Sequence, residues 1–89
     1  MITFTKQPKE LLDYTIDLTD WLTENDTISG STETMPDEIT LDTKLIEDKS
    51  LKLYLKNGLD KETYKITSLI ETTSGLKKEV DFQIKVKDQ

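Results

Sequence analysis

VDFQIKV, residues 80–86, is the stretch whose reading decides the fold. Val80, Phe82, Ile84 and Val86 alternate with Asp81, Gln83 and Lys85. Successive side chains of a strand point to opposite faces, so this spacing predicts a half-buried strand with one apolar side. Two segments upstream repeat the pattern. In SLKLYLKN (50–57), Leu51, Leu53 and Leu55 oppose Lys52, Tyr54 and Lys56. In ETYKITSLIETTSG (62–75), Tyr64, Ile66, Ser68 and Ile70 share a face. Asn57-Gly58 and Thr73-Ser74-Gly75 supply the turn residues between them.

Further upstream the alternation thins. EITLDTKLIEDK (38–49) places Ile39, Leu41, Thr43 and Leu45 at period two after a Pro36-Asp37 break. DTISGSTETM (26–35) is extended in propensity, with only Ile28 and Met35 as hydrophobes and Gly30 at the position of a bulge. DYTIDL (13–18) alternates Tyr14, Ile16 and Leu18 against polar residues. TDWLTEND then breaks the pattern, and Thr19-Asp20 is expected to cap one helical turn carrying Trp21 and Leu22. A continuous helix over 9–23 is the rival reading, disfavoured by the Thr and β-branched content. Residues 1–10 are expected to be a flexible arm, with Pro8 keeping it extended. Residues 11–89 are expected to form one domain.

Six or seven short strands without a long helix predict an all-β fold: a small antiparallel β-sandwich of immunoglobulin or fibronectin III type. Leu59, a polar turn, and Tyr64 opening a long strand have the pattern of a tyrosine corner. There the ring packs over the end of the core and its hydroxyl reaches a backbone group a few residues upstream.

Composition narrows the chemistry. The 89-residue chain has no Cys and no His, and its net charge is −6. It therefore lacks the usual general base, the commonest metal ligand and any disulfide. Between Glu10 and Thr43 there are ten acids and no base; Lys6 and Lys9 precede this span and the other ten Lys follow it. This excess of acid argues against nucleic acid as a partner, because phosphate contacts need clustered Lys or Arg. No apolar run is long enough for a signal peptide or a bilayer span, so no membrane role is expected.

The acids Glu10, Asp13, Asp17, Asp20, Glu24 and Asp26 admit three readings. A carboxylate pair for hydrolysis needs a cleft that a small sandwich has little room to form. A calcium loop is the better functional reading, though DLTDWLTEND and NDTISGSTE lack EF-hand spacing. A solvated acidic face is the default. Ser29, Ser31 and Ser74 have no His to activate them, and the single Gly of TTSGLKK does not make a phosphate cradle. No catalytic, cofactor-binding or metal-ligating residue is expected. Trp21 reads first as a core residue and second as an interface anchor; Tyr54, on the polar side of its strand, reads as an exposed aromatic.

The run LDYTIDLTDWLTENDTISGST (12–32) resembles the N-terminal signature of small phage and prophage fibre–tail adaptor proteins. Their pattern is close to LDY-x-x-D-W-x-D-W-L followed by DTI and Ser or Thr. Leu12, Asp13, Tyr14, Asp17, Asp20, Trp21, Leu22, Asp26, Thr27 and Ile28 occupy the matching places, and Pro36, Ile39 and Gly58 through Val86 are similar to the remainder. Leu18 stands where the family often has a first Trp, and Glu33 where an aromatic is common. The resemblance implies a non-enzymatic structural protein of the virion, made in the host bacterial cytoplasm. It implies docking on other virion proteins of tail, fibre or head, with self-association also open. Tyr14, Asp17, Asp20, Trp21 and Tyr54 are the expected interface residues. A generic immunoglobulin-like binding module for carbohydrate or another surface is the alternative.

Overall fold

A computed structural model of the chain describes residues 2–88. Seven strands follow one another: β1 (Ile2–Lys6), β2 (Leu12–Asp17), β3 (Ile28–Thr34), β4 (Ile39–Ile46), β5 (Ser50–Asn57), β6 (Thr63–Thr72) and β7 (Lys77–Val86). They form two sheets, ordered β1-β7-β6-β3 and β2-β5-β4. No helix occurs among the described residues. Strands two, four and five in one sheet and three, six and seven in the other reproduce the immunoglobulin-like partition. The first strand joins the second of these sheets.

The alternating segments pack as their period dictates. Leu51, Leu53, Leu55, Ile66, Ile70, Ile84 and Val86 have no exposed surface, and Tyr64 and Phe82 are nearly as enclosed. Each such side chain contributes on the order of 1.5–3 kcal/mol by leaving water. The two inner faces meet through these residues, with Tyr14, Leu18, Leu22, Ile28 and Ile39 completing the layer. Val80 lies half-buried at its margin.

Three devices set the strand crossings. The β6–β7 hairpin closes with the Gly75 amide donating to Thr72 O at 3.0 Å, and Gly75 takes a φ of 95°. Between β5 and β6 the chain changes sheets at Asn57-Gly58, both at positive φ. A Cβ on Gly58 would lie 2.7 Å from Val86 Cγ2 and 3.0 Å from Ile39 Cδ1, so space and backbone both demand glycine there. Tyr64 then pins the crossing, its hydroxyl accepting the Leu59 amide at 2.9 Å. Leu59 supplies only backbone to this corner, since its side chain is largely exposed.

Four features differ from the expectations. Residues 2–6 are not an arm but β1, paired in parallel with β7 from Ile2↔Phe82 to Lys6↔Val86, so not every pairing is antiparallel. The reason is an alternation in ITFTK itself: Phe4 turns inward and meets Tyr14 edge-on at 5.0 Å and Phe82 at 5.8 Å. Pro8 sits in a turn, with the Glu10 amide donating to Gln7 O at 3.1 Å, rather than in an extended linker. Met1 lies outside the described residues.

Second, the segment after β2 forms a turn without a helix. The Leu22 amide reaches Leu18 O at 2.9 Å, but the cap is Asp17, whose carboxylate takes the Thr19 amide and hydroxyl at 2.9 and 2.6 Å. Third, β4 carries a bulge between Leu41 and Thr43, which reverses its alternation. Lys44 and Ile46 thus stand opposite the buried Leu53 and Leu51, and Leu45 is turned outward. The bulge in β3 falls between Ile28 and Gly30. Fourth, Tyr14 belongs to the core and not to an accessible interface, with only 5% of its surface exposed.

The two buried tyrosines make opposite predictions. Tyr64→Phe loses a satisfied hydrogen bond and should cost about 1 kcal/mol in denaturant titration. The Tyr14 hydroxyl is enclosed without a partner among the described residues. Tyr14→Phe should therefore leave stability unchanged or raise it.

Candidate docking surfaces

The acidic segment is held at one end of the sandwich by local hydrogen bonds. Lys49, in the β4–β5 turn, directs its ammonium at three backbone carbonyls: Thr23 at 2.7 Å, Glu24 at 3.1 Å and Asp26 at 2.6 Å. The Leu18 amide donates to Lys49 O at 2.9 Å and the Ile28 amide to Asp48 O at 2.9 Å. Oxygens that a calcium loop would turn on its ion here face an ammonium of the chain itself. Among the described residues no group of three or more His, Cys, Asp or Glu side chains is arranged to hold a metal.

Asp26 fastens this loop to the β6–β7 hairpin. Its carboxylate accepts the Ser74 hydroxyl at 2.7 Å, the Ser74 amide at 3.1 Å and the Thr27 amide at 3.0 Å. The Ser74 hydroxyl is the main cause holding its carboxyl below the usual range; burial opposes, and the Ser74 amide, Thr72 and Thr27 add to the lowering. Asp17 is likewise held below its usual range, chiefly by the Thr19 hydroxyl. Of the acids in the opening motif, these two serve local structure. Asp20 and Glu24 are exposed.

The expected interface residues are thus scattered. Asp17 and Asp20 are exposed at this end, and Trp21 beside them is half-buried, packed on the core with the Lys78 ammonium 5.1 Å from its ring centre. Tyr54 lies in the middle of the outer face of the β2-β5-β4 sheet, half-buried, opposite Asp13 on one side and Thr43 on the other. The outward Leu45 lines a shallow hollow with Tyr54, and the Lys56–Asp42 ion pair at 3.2 Å adjoins it. An open hollow on the same sheet is lined by Thr15, Asp17, Thr19, Glu47, Asp48, Lys49 and Ser50. Its hydroxyls have no imidazole beside them, because the chain has none.

The two sides of the sandwich are closed differently. Where β3 faces β4, Glu33 points inward with only 2% of its side chain exposed. It accepts the Ser68 hydroxyl at 2.8 Å and pairs with the Lys44 ammonium at 3.1 Å, which also donates to Ser31 O at 2.8 Å. On the opposite side, where β1 and β2 are the last strands, an apolar groove of about 290 Å³ opens between Phe4, Tyr14, Ile16, Val80 and Phe82. Burial pushes the Tyr14 hydroxyl up to about 12, with Glu10 and Asp13 adding to the rise. Lys6, at the end of β1, is almost wholly enclosed and donates to Gln7 O at 2.6 Å and Pro8 O at 3.2 Å. Its ammonium is held below the usual range by burial, partly offset by Glu10.

Sequence reasoning did not find the partners of Glu33 and Asp26 or the role of Lys49. Only one signal was available. Period two from Ser31 to Met35 puts Glu33 on the inward face, but the bulge in β4 that brings Lys44 to it leaves no such mark.

Lys44→Met would leave the Glu33 carboxylate buried without its counter-ion and should cost about 3 kcal/mol in urea unfolding; replacing both residues by Leu should recover most of that. For Asp26, the folded carboxyl is more acidic than its unfolded counterpart. Its contribution is complete above the ordinary carboxylate range and disappears as pH falls through the folded value. The urea midpoint of Asp26→Asn should therefore lie below wild type near neutral pH, the gap closing as pH falls through the lowered value of the folded carboxyl.

Comparison with curated proteins gives no match to this chain. A family model described as "Podophage GP4 fiber-tail adaptor protein gp77" matches residues 6–85. The matched span runs from the last residue of β1 to the penultimate residue of β7 and so takes in both sheets. By this match the chain belongs to the podophage fibre–tail adaptor family.

Proposed function

We propose that the protein is a non-enzymatic docking module of a phage particle, placed between tail and fibre and made in the host bacterial cytoplasm. The family match supports the structural role. The observation that carries the reading is the outer face of the β2-β5-β4 sheet. There Tyr54 and the outward Leu45 present apolar surface among Thr43, Lys52 and Asp13. An aromatic among polar groups on a rigid sheet is the composition of an interface centre. Tyr54 is the central contact in this reading, with Asp17 and Asp20 toward its rim. Trp21 acts through the core it covers, and Tyr14 supports the sheet from within. Partners are other virion proteins.

The test is incorporation. In a lysate fractionated by density and read by mass spectrometry, the wild-type protein should travel with virions. Tyr54→Ala, with an unchanged circular dichroism spectrum, should reduce its particle-bound fraction by about tenfold, the effect of a contact worth roughly 1.4 kcal/mol. Wild-type protein that stays at the top of the gradient would exclude the virion role.

A further inference from the structure

We propose that the free edge of β2, with the groove beside it, receives an extended segment of another protein that carries apolar side chains inward and Lys or Arg outward. This rests on the docking role above and adds the chemistry of the partner. β1 and β2 each end a sheet, so each has one backbone edge without a neighbouring strand. The apolar groove lies between them, and Ile2, 66% exposed, stands at its mouth. A strand added to β2 would place every second side chain over this groove, beside Leu12, Tyr14 and Ile16.

The remaining side chains of such a strand would stand opposite Asp13, Thr15 and Asp17, all exposed on the outer face. Directly opposite residues on paired strands lie about 4.5–5.5 Å apart, and opposite charges there are favourable. Among the described residues no ammonium lies within ion-pairing distance of Asp13 or Asp17; the acids so paired are Glu33, Asp42 and Asp81. Asp17 gives one carboxylate oxygen to Thr19. A cationic residue on the incoming strand would meet two carboxylates that form no ion pair within the chain, with Lys52 across from Thr15 between them.

The same argument disfavours a second copy of this chain as the occupant. β2 against β2 in the antiparallel register centred on Thr15 would set Asp13 opposite Asp17 twice. The strands with outward Lys, β5, β6 and β7, are already paired on both sides. The free edge strands β1, β3 and β4 turn outward Thr3 and Thr5, Thr32 and Thr34, and Thr40, Thr43 and Leu45. None of these is a cation.

Two synthetic nonapeptides, one alternating Lys and Val and one alternating Glu and Val, test the edge by calorimetry and by amide shifts of the labelled full chain. The Lys–Val peptide should bind at least about tenfold more tightly, with shifts concentrated in residues 12–17 and affinity falling as salt rises. Asp13→Lys/Asp17→Asn should lose about tenfold, the Asn keeping an oxygen for Thr19. Asp37→Lys/Glu38→Gln makes the same charge change on a distant turn and should lose far less. Equal binding of both peptides, shifts centred elsewhere, or equal loss from both double variants would overturn the proposal. In virions, wild-type incorporation of a folded Asp13→Lys/Asp17→Asn protein would overturn it too, while leaving the docking role intact. If no form enters virions, the docking role fails, and peptide selectivity alone decides the edge.

Discussion

Everything in this molecule depends on one dry contact between two sheets. Leu51, Leu53 and Leu55 on one side, and Ile66, Ile70, Phe82, Ile84 and Val86 on the other, exclude water from the centre. A domain of 89 residues has no second core to fall back on. The loops, the corner at Tyr64 and the side closures can be polar because this layer supplies the driving force. The hollows described above open on the faces and edges that surround this layer.

Legibility followed the physics of alternation. β5, β6 and β7 could be read because unbroken period two along eight to ten residues has one structural meaning. The glycine-dependent turns were readable for a related reason: Gly58 and Gly75 occupy backbone conformations that few other residues tolerate. β1 was not legible because its alternation, Ile2 and Phe4, is only two apolar residues long before Lys6 and Pro8, and parallel pairing with the last strand leaves no local turn to mark it. β4 was read with the wrong side outward past residue 42, since nothing in TLDTKL marks a bulge. Of the interface set, Asp17, Asp20 and Tyr54 reached the surface, and Tyr14 did not. Alternation tells that Tyr14 and Asp13 face opposite ways, but not which strand will cover the tyrosine ring.

The two sides of the sandwich show how a small domain can control where it is approached. Glu33, Ser68 and Lys44 seal one side with a charged pair that a partner could enter only by desolvating it. The other side is apolar within, with Asp17, Asp81 and Lys78 at its margin and Asp13 exposed along β2. A resemblance drawn on the opening motif could not reveal this contrast. Glu33 departs from the aromatic common at its place in the family pattern, and its meaning depends on a lysine brought to it from another sheet. The family match and the two-sheet fold both fit a structural adaptor.

The position of Lys49 has a consequence for the environments such a particle meets. Many acidic surface loops borrow a divalent ion from solution and slacken when it is diluted or chelated. Here the positive charge that gathers the carbonyls of residues 23, 24 and 26 is covalently part of the chain. Its local concentration is fixed by the fold. Dilution or chelation cannot remove the charge that holds these carbonyls together.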